Sequence, residues 1–147
     1  MPVTIGPQLQ ELAAQDIACV LGTVRKDGSV QLNPVWFEYA DGAFWLNGGE
    51  SKGKRRDWLA HVERDPHRRI TLYFQDPHDI WRWAQVLGSV TEVTEAGAWE
   101  QIDRLSRKYL GRDYDRRPGE LRYKIKVEPL RVTGANTRGR PWDVTPG

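Results

Sequence analysis

Sulfur is almost missing from this chain, which has one cysteine and one methionine in 147 residues. A lone thiol excludes an internal disulfide and fits a reducing cytoplasm. Cys19 sits inside the apolar run IACVL, where a thiol reads as a buried structural group and not as a nucleophile. Histidine is scarce too, and His61, His67 and His78 show no metal-ligand spacing with Cys19 or with one another. GxSxG, HExxH and CxxC are all absent, so covalent and metal-assisted hydrolysis have no candidate residues. No apolar run approaches the ~20 residues that a membrane-spanning helix needs, and no signal-peptide core opens the chain. The expectation is a cytoplasmic protein with no transmembrane segment. A formal net charge of +2 is too small to argue for a nucleic-acid partner.

Aromatic residues are plentiful: seven Trp, five Tyr and three Phe supply much of the apolar area and suit interfaces or planar ligands. The length fits one domain over 1–147 with a core that needs no staples. Residues 7–15 predict a short helix over one end of a barrel, with Leu9, Leu12 and Ala13 on one side. The run 17–24, IACVLGTV, predicts a strand buried on both faces. Asp27-Gly28 marks a hairpin turn, and residues 29–40 a strand that alternates through Val30, Leu32, Pro34 and Trp36 against Gln31, Asn33, Val35 and Phe37. Pro34 places that strand at an edge or a bulge. Asp41-Gly42 begins a third antiparallel strand.

Strands are also predicted at 69–75, 80–93 and 121–132. Gly88 marks a bend in the second of these, while Trp81 and Trp83 share one of its faces. An amphipathic helix over 95–110 carries Ala98, Trp99, Ile102, Leu105 and Tyr109, with Gly111 as its C-cap. The tail from 134 is expected to be loose unless Trp142 docks it. Tight turns between successive strands imply an antiparallel sheet in an α+β, mainly β protein, closed into a six-stranded barrel with a few flanking helices.

The stretch FWLNGGESKGKRRDWLAHVERDP, residues 44–66, stands out. It reads as a strand, a tight turn at Asn47-Gly48-Gly49, and a helix whose first turns hold Lys52, Lys54, Arg55 and Arg56. Cations there oppose the helix dipole unless an anion sits among them, so the pattern points to a phosphate-type ligand. Gly48 to Lys54 also has GxxxxGK spacing, but Arg55 stands where a nucleotide-binding loop needs Ser or Thr, and the sheet is not parallel.

Three segments together, LGTVRKDGSVQLNPVWFEYADGAFWLN, SKGKRRDWLAHVERDPHRRITLYF and WAQVLGSVTEV, make the chain resemble the FMN-binding split-barrel superfamily. This superfamily includes the pyridoxamine-phosphate oxidase-like proteins and the flavin/deazaflavin oxidoreductases. The PVWF strand and the basic start are most similar to the branch that uses coenzyme F420. The resemblance implies a split β-barrel homodimer with two cofactor sites at its interface. It implies that Asn33, Pro34, Val35 and Trp36 face the cofactor ring, with Asn47 close by. Ser51, Lys52, Lys54, Arg55 and Arg56 would hold the phosphate, and Trp81, Trp83 and Gln85 would come from the partner subunit. The implied activity is hydride transfer between F420 and an unsaturated small organic substrate. FMN is the alternative cofactor, and a non-catalytic flavin- or haem-binding module the alternative function. No catalytic residue is assigned; solvent, Tyr39, Tyr73 and Tyr123 are the candidate proton sources.

Overall fold

A computed structural model describes all residues, Met1–Gly147. A two-stranded clasp of β1 (Val3–Ile5) and β10 (Val144–Pro146) joins the chain ends. The main sheet is antiparallel throughout and runs in the order β3 (Val30–Val35), β2 (Cys19–Val24), β7 (Arg69–Asp76), β8 (Asp79–Thr94), β9 (Leu121–Ala135), β5 (Ala43–Ser51) and β4 (Phe37–Ala40). Its two end strands, β3 and β4, are separated in the chain by Trp36 alone. One extended segment therefore bonds to β2 with its first half and to β5 with its second, so the sheet must curl until its ends meet. With β3 and β4 counted together, six strands form the wall of a barrel that is split where the pairing changes hands.

The barrel is filled by Phe37, Phe44 and Phe74, whose ring centroids lie 5.0–6.1 Å apart, together with Leu21, Leu46, Leu72, Val86 and Ile125. Helix α1 (Pro7–Ala14) adds Leu9, Leu12 and Ala13 to this core, as their spacing predicts. Helix α2 (Asp57–Arg64) adds Trp58, Leu59 and Val62. Helix α3 (Ala98–Leu110) starts and stops at Gly97 and Gly111, both left-handed with φ of 75° and 73°. It buries Gln101 and Ser106 beside Ala98, Ile102 and Leu105, while Trp99 is only half-buried. Gly88 does mark an irregularity: the β8–β9 register shifts there, and a Cβ would sit 2.4 Å from Val127 Cγ1.

The structure corrects two expectations. Strand β2 is buried on one face only, because Cys19, Leu21 and Thr23 point inward while Val20 and Gly22 are half-exposed and Val24 is exposed. The apolar Val30 and Leu32 likewise face outward, at 57% and 66% exposure. The tail meets the stated condition for order: Trp142 docks it, buried and with its Nε1 donating to the Trp83 carbonyl at 2.8 Å.

The second correction bears on function. Gly48 and Gly49 are not a turn, and β5 runs through both to Ser51. The turn is at Lys52-Gly53, with φ of 55° and 74°, and β6 (Lys54–Arg55) returns along β5. The glycine pair stays extended because large side chains lie on it. A Cβ at Gly49 would sit 2.3 Å from Arg122 Nη1, and one at Gly48 would sit 3.2 Å from Ile125 Cδ1. The basic residues therefore occupy a hairpin, and α2 starts with Asp57, the sign of charge that its dipole favours.

Candidate functional site

A cavity of about 600 Å³ opens at the split, within the range of small-molecule sites. Asn33, Pro34, Val35 and Trp36 form one wall, at the crossing from β3 to β4. Trp58 of α2 and Ile102, Leu105 and Tyr109 of α3 provide most of the apolar remainder. Trp36 and Tyr109 stack with centroids 5.5 Å apart and planes 6° from parallel, which makes a flat aromatic wall. Polar groups converge from Asn47, Arg56, Tyr114 and Arg122. Asp16, Ala18 and Cys19 complete the lining. Burial pushes the Cys19 thiol up to about 12, so it stays protonated and inert, as the apolar run IACVL predicts.

Two hydrogen-bond systems fix the polar atoms. On one side, Arg122 Nε donates to Asn47 Oδ1 at 2.8 Å and Nη1 to Glu120 Oε2 at 3.1 Å. Asn47 Nδ2 in turn donates to the Ala98 carbonyl and to Gln101 Oε1, both at 2.9 Å. Tyr114 donates its hydroxyl proton to Glu120 Oε2 at 2.7 Å and lies under the Arg122 guanidinium, 5.0 Å from its centre. Burial alone would raise the Glu120 carboxyl, but hydrogen bonds from Tyr114 and the Arg117 N–H and the charge of Arg122 outweigh it, so the pKa falls below the usual value. Burial and the bond to Glu120 raise Tyr114, which stays neutral.

On the other side, a chain of donors runs inward from α2. Arg64 Nη2 lies 2.7 Å from His61 Nδ1 and can only donate, so the imidazole proton is on Nε2 and goes to Gln31 Oε1 at 2.9 Å. Gln31 Nε2 then donates to Asn33 Oδ1 at 2.9 Å. Asn33 keeps Nδ2 as its uncommitted donor at the cavity wall.

Of the residues expected to meet a cofactor, Asn33, Pro34, Val35, Trp36, Asn47 and Arg56 line this cavity. Ser51, Lys52 and Lys54 are exposed on the β5–β6 hairpin. Arg55 turns away, into ion pairs with Glu63 and, at 3.6 Å, Glu50, and over the Tyr123 ring at 4.8 Å. Arg56 has no acidic partner. Trp81 is 76% exposed, Trp83 packs on Tyr73 at 5.8 Å, and Gln85 is exposed; none of the three reaches the cavity of its own chain. Tyr39, Tyr73 and Tyr123 lie outside it as well, and the tyrosines at the cavity are Tyr109 and Tyr114. Sequence reading missed Arg122, Tyr114 and Glu120. A glycine pair inside an aromatic strand was the one local sign that something bulky crosses there.

The model of the pyridoxamine 5'-phosphate oxidase family matches residues 5–134. The chain belongs to this family. Its fold is that of oxidoreductases that bind flavin-type cofactors, and the split, the crossing at Trp36 and the cavity beside it are features of that architecture in this chain. Solved structures of the same fold include an F420 reductase, 21% identical over 84% of this chain and 94% of its own, with a TM-score of 0.70. HupZ of Group A Streptococcus is 18% identical over 94% of this chain and 98% of its own, with a TM-score of 0.62. General Stress Protein 26 of Bacillus anthracis is 17% identical over 86% and 92%, with a TM-score of 0.57. No curated protein matches the chain in sequence. No helix is long and apolar enough to cross a membrane.

Proposed function

We propose that this family member is an oxidoreductase that uses coenzyme F420, held at the barrel split, to reduce an unsaturated small organic molecule. The observation that carries the reading is the chemistry of the cavity: the stacked Trp36 and Tyr109 rings line it together with Asn33, whose Nδ2 is uncommitted, and Arg56, which has no acidic partner. Such walls suit a tricyclic ring, and Asn33 Nδ2 suits a carbonyl at the ring edge. Arg56, Lys54 and Lys52 would meet the phosphate-bearing tail, with Ser51 beside them, while Arg55 braces the hairpin on α2.

When bound, the cofactor would supply the hydride; the chain supplies orientation, charge and exclusion of water. Two-electron transfer needs no nucleophile, consistent with an inert Cys19 thiol and neutral tyrosines at the site. The resemblance of the fold to an F420 reductase supports F420, and FMN is the competing ligand. A homodimer belongs to the same proposal. Exposed Val24, Val30, Leu32, Ile80 and Trp81 form outward apolar surface that a second copy would cover, bringing its own Trp81, Trp83 and Gln85 to the ring.

Titration of the ligand-free protein with F420 and with FMN, followed by fluorescence, tests the cofactor. Saturable F420 binding that Arg56→Ala weakens by about 1.5–3 kcal/mol supports the proposal. Tight FMN binding with no response to F420 transfers the site to the flavin, and loss of neither ligand's affinity in Arg56→Ala removes the assigned phosphate site.

A further inference from the structure

A buried arginine is expensive unless every N–H finds an acceptor, and Arg122, 8% exposed, satisfies only part of its set. Nε is committed to Asn47 and Nη1 to Glu120, the face of the guanidinium lies over Tyr114, and its edge presses on Gly49. Nη2 has no hydrogen bond in the protein, and Arg122 lines the cavity. The group cannot swing out to water without giving up both existing bonds. It is a donor held at a fixed place and open to the cavity.

The charge balance says what kind of acceptor fits. Glu120 already cancels the guanidinium at 3.1 Å, and that carboxylate is saturated by Tyr114, the Arg117 N–H and Arg122 itself. A carboxylate or phosphate arriving at Nη2 would also feel the Glu120 carboxylate bound at Nη1, which reduces the net attraction. An uncharged carbonyl oxygen meets no such repulsion, and it gains most if negative charge builds on it during reaction.

We propose that Arg122 is a ligand-binding residue of this site, whose Nη2–H receives a neutral, conjugated carbonyl oxygen. This rests on the reading of the cavity as a cofactor and substrate site. The oxygen has two sources, a carbonyl of the cofactor ring or the carbonyl of a bound substrate. In the second case, a bound reduced deazaflavin would supply hydride to the β-carbon of an enone; the C=C pair would become the Cα=C bond of an enolate as the C=O π pair moves to the oxygen. Arg122 Nη2–H would hold the enolate oxygen while a solvent proton adds at the α-carbon to give the saturated ketone.

The test uses the full-length protein labelled with 15N-arginine, in which a buried, tethered guanidinium gives slowly exchanging Nη resonances. F420, FMN and 2-cyclohexenone are titrated separately. A shift of the Arg122 Nη2 resonance with F420 or FMN assigns the oxygen to the cofactor. A shift with cyclohexenone, alone or on the cofactor-loaded protein, assigns it to the substrate. Arg122→Met combined with Glu120→Gln removes both charges together and should weaken the shifting ligand at least tenfold; Arg122→Lys should recover only part. F420 binding without any Nη2 movement, in the presence or absence of cyclohexenone, overturns the inference and leaves the proposed function standing. A cyclohexenone shift without binding of either cofactor does the reverse. No Nη2 response to any of the three probes overturns the inference outright.

Discussion

Replacing Gly49 by alanine should cost far more than the loss of a glycine in a strand normally does, because the space for a methyl group is occupied by Arg122. The Cβ would sit 2.3 Å from Nη1 and 3.2 Å from Cζ. That is about 1.2 Å inside the ~3.5 Å contact limit for such atoms. A long side chain usually relieves such a clash by bending away at little cost. Here a movement of that size stretches the 2.8 Å bond to Asn47 and the 3.1 Å bond to Glu120 beyond hydrogen-bonding distance. It also strands the Glu120 carboxylate, only 8% exposed, without its counter-charge. Two charge-assisted bonds at about 1.5–3 kcal/mol each, partly recovered on relaxation, set a loss of about 3–5 kcal/mol. The reduced freedom of the unfolded chain returns about 0.4–1 kcal/mol. The net expectation is a destabilisation of about 2–4 kcal/mol, read as a lower urea midpoint at unchanged slope.

A double-mutant cycle isolates the cause. In an Arg122→Met background the clash disappears, so Gly49→Ala should become nearly neutral, with a coupling of at least about 1 kcal/mol. If Gly49→Ala alone lies within about 0.5 kcal/mol of wild type, or costs the same in both backgrounds, Arg122 is not clamped and its unpaired Nη2 loses its significance.

The pH dependence of stability carries a second signature. Burial lowers the Lys108 ammonium from 10.5 to about 8, although it donates to the Phe37 carbonyl at 2.8 Å and the Ala13 carbonyl at 3.1 Å. The unfolded chain therefore holds a proton that the folded chain has released between those values, so stability rises with pH across that window. After solvent screening the gain is roughly 1–2 kcal/mol. It reverses above ~9–10, where the unfolded Cys19 and Tyr109 ionise while burial keeps the folded forms protonated. Urea midpoints from pH 7.5 to 9 should climb in wild type and stay flat in Lys108→Met; a flat wild-type profile refutes the assignment. Trp142→Ala should cost about 3 kcal/mol, from lost burial and the bond to the Trp83 carbonyl, and should release the β1–β10 clasp to rapid amide exchange. Unaltered protection of Ile5 and Val144 would show that the clasp stands without it.

The fold was largely legible because its signals are local. Asp27-Gly28 and Asp41-Gly42 place hairpin turns whose glycines have φ of 86° and 76°, and alternation through Arg82, Ala84 and Val86 gives the inward face of β8. Pro34 belongs where no second neighbour needs its missing N–H, and β3 is indeed an end strand paired only with β2. Strand β2 escaped because an apolar outer face on a single chain looks the same in sequence as burial on both sides. Val20 and Val24 point away from the core.

The site was half legible, and the missing half follows from distance. Asn47, Gln101 and Arg122 meet through hydrogen bonds that span 54 and 75 residues, and no spacing rule reaches so far. The basic stretch failed differently. Read at helical period, Lys54, Arg55 and Arg56 fan out around one helix start and all three serve one anion. Read at the period of a strand, consecutive residues face opposite sides. Arg55 then leaves the cavity for Glu63 and the Tyr123 ring, and Arg56 enters the lining without an acidic partner. The choice between periods was decided by Gly53, whose φ of 74° lets β5 double back one residue before Lys54. Because the turn lies there and not at Gly48-Gly49, β5 stays extended across Gly49, and only an extended glycine leaves Arg122 room to cross it and reach the cavity. One backbone position thus determines both which cation enters the cavity lining and which guanidinium crosses β5 to reach it.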